Sequence, residues 1–275
     1  QFPAGSTHNQ KAVHIKLKSS SHLFVGGMDT AVGRRGWHDA QAEIIGLGAD
    51  LGRKTLEERW ESVRPPPGGL SATQQLLPAA QGAAHQVQFV RTYPPFPADT
   101  TKWTRTYATG GEYTYYALLS RAIAAARKTI YLEDRHFQAM GPAPNRTNPA
   151  GGSSPRLRSD LADVPDTIER QLADAVGRGV QLVVVASHRN AAPRPPDPAA
   201  RDVLFKTVQN AKNPPVLLQT LNKPQDVAMD DGTTVTFFNN FLHTRTWIFD
   251  DEFVVVGSGP LWLNSLVNAD KRPAH

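Results

Sequence analysis

Two rhythms of apolar positions run along this chain. Thr129 to Leu132, Val180 to Ala186 and Phe253 to Val256 are short apolar runs bounded by turn residues, which predicts buried strands. Tyr115, Leu118, Leu119, Ala122, Ile123 and Ala126 recur instead at helical spacing, as do Ile168, Leu172 and Val176 before Gly177 and Gly179. Each set predicts a helix that turns one stripe toward a core. A further helix is expected near Asp202 to Ala211. The opening residues predict a hairpin, Lys11 to Lys18 and Leu23 to Gly27, then a strand at Gln41 to Ile45 and a helix ending near Trp60. Another strand is expected near Gln86 to Arg91. Breaks fall at Pro65 to Gly69 and Pro193 to Pro198, with a long Gly, Pro, Asn and Ser excursion from Gly141 to Pro155. Strands alternating with helices predict an α/β fold, an α/β/α sandwich whose mostly parallel sheets are covered on both faces.

Composition narrows the class without choosing the chemistry. With 275 residues, 40% of them hydrophobic, the chain can bury a sizeable core in one or two domains. It has no apolar run of the roughly 18 residues that a membrane span needs, which argues against integral membrane placement. The absence of cysteine excludes disulfides, thiolate metal sites and thiol catalysis within these residues. Gln1-Phe2-Pro3 shows no charged or apolar leader, so a secretory signal is absent or already removed, and cytoplasmic and secreted locations both stay open. A formal net charge of +5 fits an anionic substrate or surface, whether lipid headgroup, nucleic acid or phosphosugar. No basic run interleaved with aromatics is present, which makes nucleic acid the lesser reading.

The residues with the most chemistry lie near the C-terminus. Residues two apart on a strand share a face, so His243 and Arg245 can reach one anionic group together. A neutral imidazole can attack phosphorus, and a guanidinium can neutralise the oxygens on which charge builds. Asp250 is placed to orient the imidazole, and Gly257-Ser258 follows the next apolar strand. The same spacing also fits an ordinary hairpin, Thr246 to Phe249, a turn at Asp250 to Glu252, and Phe253 to Val256. A weaker copy stands at the other end: His8-Asn9-Gln10-Lys11, then Leu23-Phe24-Val25 and Gly26-Gly27-Met28-Asp29. Repetition of a polar motif at the same place in two units favours the functional reading.

These segments resemble the phospholipase D superfamily in its two-motif form. His243, Arg245 and Asp250 match H-x-K-x(4)-D with arginine for lysine, and the first copy is similar to H-H-Q-K followed by F-V-G-G-x-D. Trp37-His38-Asp39, Glu57 to Trp60, Arg91-Thr92-Tyr93, Gly111-Glu112 and Ile130 to Phe137 resemble further elements of that family, though His38 and Asp39 read equally well as structural partners. The resemblance implies two pseudo-twofold lobes, 1–100 with an incomplete N-terminal part and 101–275, which meet at one active site. It implies a phosphohistidine route, with His243 as nucleophile or general acid and His8 in the complementary role. Lys11 and Arg245 would hold phosphate, helped by Asn9, Ser258 and Gly27. The chemistry requires no metal or organic cofactor. Phospholipid would be the substrate, water or an alcohol the acceptor, and a peripheral membrane surface a possible partner; the oligomeric state is left open. Relative to the pattern, Asn9 stands in the first histidine position, Lys16 in the aspartate position, and Gly259-Pro260 where an asparagine is expected. Those departures support an alternative, a degenerate module that binds phosphate or anionic lipid without turnover. A third reading keeps the chemistry and takes nucleic acid or a second phospholipid. The resemblance further implies that the chain is a fragment, lacking βα units ahead of the first motif and a strand region after the second.

Overall fold

The computed structural model describes residues 10–29, 37–63, 85–93, 112–137, 168–187, 198–210, 212–220, 223–228, 231–239, 241–259 and 261. They form a mixed α/β protein with several sheets. The strands β1 (Lys11–Lys16) and β2 (Ser21–Gly26) make an antiparallel hairpin with Val13 opposite Phe24. After the short β3 (Trp37–His38), β4 (Gln41–Ile45) joins the free edge of β2, which completes an antiparallel sheet β1-β2-β4. Gly46, at φ +84°, adopts the left-handed conformation glycine tolerates and turns the chain into α1 (Leu47–Val63). That helix covers one face of the sheet. Asp50 in its first turn is buried and accepts hydrogen bonds from Ser21 Oγ at 2.7 Å and Lys16 Nζ at 3.1 Å, which fixes helix to hairpin.

A two-stranded ladder, β5 (Thr92–Tyr93) with β6 (Glu112–Tyr113), leads into α2 (Thr114–Ala125). Then come β7 (Thr129–Asp134), α3 (Ile168–Gly177), β8 (Gln181–Ser187), α4 (Pro198–Val208) and β9 (Val216–Thr220). β7, β8 and β9 are parallel, as crossovers through helices require. The hairpin β10 (Lys223–Ala228) and β11 (Thr234–Asn239) follows, then β12 (Phe241–Leu242), β13 (Arg245–Phe249) and β14 (Phe253–Val256). The main sheet has the order β14-β13-β7-β8-β9. Leu119, Ile123, Leu172, Leu204, Leu132, Leu182, Val184 and Trp247 are all buried in one core against one face of that sheet.

The expectation of mostly parallel sheets is not met. β13 runs antiparallel to both β14 and β7, and the first sheet is antiparallel throughout. The cause is local: a turn of three residues, Asp250 to Glu252, can only return the chain antiparallel. Cover on both faces is not found among the described residues either, since Val254 on β14 and Leu218 on β9, at the two edges of the other face, are 54% and 52% exposed. Residues 86–91 are not a strand; pairing begins at Thr92. The helix expected to reach Ala211 ends at Val208. The breaks at 65–69 and 141–155, and 193–197 of the third break, lie outside the described residues.

Candidate active site

The backbone of the site is set where the two halves of the chain pair. β12 lies parallel to β3, with Phe241 opposite Trp37 and Leu242 opposite His38. The carbonyl of His38 then accepts from the backbone N–H of His243 at 2.8 Å and of Thr244 at 3.2 Å. A second anchor reaches the same turn from behind. Ser187 Oγ, at the end of β8, donates to the Leu242 carbonyl at 2.9 Å. The buried Arg201 of α4 donates in turn to the carbonyls of Ser187, Arg135 and His136. His243 and Thr244 precede β13 rather than opening it, so the imidazole is aimed by these anchors as well as by strand pleating.

The imidazole is 4% exposed. Its Nδ1 lies 2.7 Å from Asp39 Oδ2, and the other Asp39 oxygen accepts the N–H of Ala40 at 3.0 Å. The tilted ring of Trp37 packs on it at 4.7 Å between centroids, and that of Phe241 lies nearly parallel at 6.2 Å. The guanidinium nitrogens of Arg245 sit 3.2 and 3.3 Å from the two ring nitrogens, so the guanidinium lies alongside the ring. Burial holds His243 down to about 4, against the opposing pull of the Asp39 hydrogen bond; the charges of Arg245 and Arg135 add to the lowering. The ring is therefore neutral at pH 7. An ionised carboxylate only accepts, so Nδ1 carries the proton and the Nε2 lone pair accepts from Arg245 Nη2 at 3.3 Å.

Around Nε2 the charges alternate. Asp29 Oδ2 lies 4.0 Å from it, and Asp29 Oδ1 lies 3.4 Å from Lys11 Nζ. The guanidinium of Arg135 stacks over Phe241 at 4.7 Å. Beneath, the fully buried Asp134 stands opposite Arg245 in the β13/β7 register and accepts from the N–H of His136, Phe137 and Leu261. Phe137 holds φ +36°, a conformation that costs a non-glycine residue about 1 to 3 kcal/mol, which the Asp134 bonds offset. His136 is pushed down to about 3, first by burial and then by Arg135, Arg245, Arg201 and His243.

No family model and no curated protein matches this chain. Among solved structures, NucT from Helicobacter pylori is similar, with 16% identity and a TM-score of 0.31 over 55% of this chain and 71% of that one. A TM-score that low carries neither a fold nor an activity across. The functional reading rests on the side chains themselves.

The sequence-predicted residues are distributed unevenly. His243, Arg245 and Lys11 come together through Asp29. Ser258 follows Gly257, whose N–H bonds to the Arg245 carbonyl at 3.3 Å. Gly27 stands against Asp39. A Cβ there would collide with the Asp39 carboxylate, so the glycine makes room for the group that orients the imidazole. Asp250 is not on the imidazole. Its carboxylate accepts the N–H groups of Arg127, Lys128 and Thr129 at the far end of β13, and those bonds, led by Thr129, hold it below the usual carboxylate range. The span from 243 to 250 is roughly 20 Å of extended chain, which explains the separation. Lys16, in the aspartate position of the first copy, pairs with Asp50. His8 and Asn9 lie outside the described residues. Asp39, which the sequence leaves open between a structural partner and a catalytic group, is the imidazole partner; Asp29 beside Nε2 and the Trp37 and Phe241 walls were not foreseen as site groups, and the Trp37-His38-Asp39 element was the available signal. Among the described residues, no three His, Asp or Glu side chains gather closely enough to hold a metal ion.

Proposed function

We propose that this chain is a phospholipase D-like phosphodiesterase and phosphatidyltransferase that acts on phospholipid through a phosphohistidine on His243. One observation carries the reading: a buried, neutral imidazole whose Nδ1 is held by Asp39 while the Arg245 guanidinium lies at its side and Asp29, paired with Lys11, stands 4.0 Å from Nε2. In the first step the Nε2 lone pair attacks phosphorus and the alcohol departs. Asp39 stabilises the positive charge that develops on the ring, and Arg245 and Lys11 neutralise the non-bridging oxygens. In the second step water or an alcohol attacks phosphorus, and the P–N bond breaks. In this reading the lobes 1–100 and 101–275 contribute one motif each, with His8 and Asn9 completing the first, and Ser258 adds a hydroxyl to the phosphate.

The phospholipid substrate is tested by choline release from phosphatidylcholine, with ethanol present to trap phosphatidylethanol. The expected result is release by the parent chain and loss of both products in His243→Ala. Full retention in that variant would rule the mechanism out. The degenerate-module reading is favoured by Asn9 in the first histidine position, and would show as phosphate-analogue binding without release. Turnover of a nucleic-acid diester in place of lipid would move the same chemistry to the other substrate class.

A further inference from the structure

The reading above gives the leaving-group proton to His8, which stands one position before the motif's histidine position. A buried neutral imidazole can act as nucleophile, but the departing alkoxide must be protonated, and the position of the second histidine holds Asn9, which cannot transfer a proton. Among the described residues a carboxylate stands beside the reacting nitrogen. That group is Asp29, whose Oδ2 lies 4.0 Å from His243 Nε2 and whose other oxygen is 3.4 Å from Lys11 Nζ. The remaining candidates face elsewhere: Asp39 is committed to Nδ1, His38 to Glu133 at 3.1 Å, and Asp134 to three backbone N–H groups.

We propose that Asp29 is the general acid and base of the reaction, in the role that a second histidine would fill. The inference rests on the phosphohistidine reading. As phosphate enters, Lys11 exchanges the Asp29 oxygen for a phosphate oxygen, and the carboxylate released from that ion pair takes up a proton from solvent water and turns toward the leaving group. In the first step Nε2 bonds to phosphorus, the bond from phosphorus to the alcohol oxygen breaks, and the carboxyl proton of Asp29 passes to that oxygen. In the second step the Asp29 carboxylate takes a proton from water and the new hydroxide bonds to phosphorus. The P–N bond then breaks, which returns a neutral imidazole and a protonated carboxyl. Atoms and protons balance over the two steps, and no further reactant is needed. Gly26-Gly27 carries the chain past Asp39 to Asp29, so the two carboxylates attend opposite nitrogens of one ring.

The test uses leaving groups that do and do not need a proton. Phosphatidylcholine must have its alcohol protonated, whereas phosphatidyl-p-nitrophenol expels a stable phenolate. Asp29→Asn is expected to lower choline release by about a hundredfold or more, while p-nitrophenol still appears in a single-turnover burst and a phosphatidyl group stays on His243. Asp29→Glu should recover part of the choline release. Equal loss of both activities in Asp29→Asn would overturn the inference and make Asp29 a positioning residue for Lys11. Choline release as fast as in the parent would overturn it too, and hand the proton to His8. If His243→Ala gives the same burst as the parent, or the parent is silent on both lipids, the underlying reading fails instead.

Discussion

At the scale of single residues, the account turns on what holds the two nitrogens of one imidazole. Asp39→Asn keeps the shape but removes the carboxylate that fixes the tautomer, so kcat should fall about a hundredfold or more while the fold is retained. Steady-state kinetics beside a melting curve would separate the two effects. Gly27→Ala should act through the same group, because a methyl displaces the Asp39 carboxylate; a comparable loss of kcat is expected, with kcat rather than KM carrying it. The ring itself should titrate near 4, below its ordinary 6.5, which NMR of the His243 ring protons would read directly. The sign for stability follows from that depression. Between about 6.5 and about 4 the unfolded chain binds a proton that the folded chain refuses, so the denaturation midpoint should fall as pH is lowered through this window and be fully regained above it. His243→Gln should flatten part of that slope, and His136, pushed down to about 3, should keep the rest.

At the scale of elements, Asp250 shows how one carboxylate can serve the fold at a distance from the chemistry. It sits with Asp251 in a left-handed turn, at φ +55° and +60°, and ties the start of β7 to the end of β13 through three backbone N–H groups. Asp250→Ala should lower stability by roughly 1 to 2 kcal/mol after allowance for solvent and leave kcat unchanged, as urea denaturation and activity would show. The spacing of His243, Arg245 and Asp250 was legible because strand pleating is local. Which pole of the strand each residue serves was not, because that depends on what packs there. The helices and the apolar strands β7, β8 and β14 were legible from periodicity for the same local reason. β10 and β11 were not: Lys223, Pro224 and Asp226 give β10 no apolar alternation, and it is a strand through pairing with β11. Asp39 illustrates the limit most directly, since its partner is 204 positions away and no spacing rule reaches that far.

At the scale of the molecule, the short parallel pairing of β3 with β12 brings the two halves of the chain to one imidazole. Behind it, Arg91 bonds to Glu112 of β6 and to Glu58 of α1, and ties the first sheet's helix to the start of the second unit. The outer face of the main sheet remains apolar at Val254 and Leu218. Replacing both with lysine should change stability by no more than about 0.5 kcal/mol each and reduce self-association measured by light scattering. The central claim is a covalent one, and mass spectrometry of the quenched reaction tests it most directly. The parent chain mixed with phosphatidyl-p-nitrophenol and quenched in alkali within one turnover should carry a phosphatidyl group on the peptide that contains His243. An unmodified peptide during active release of p-nitrophenol, or the group on another residue, would contradict the account.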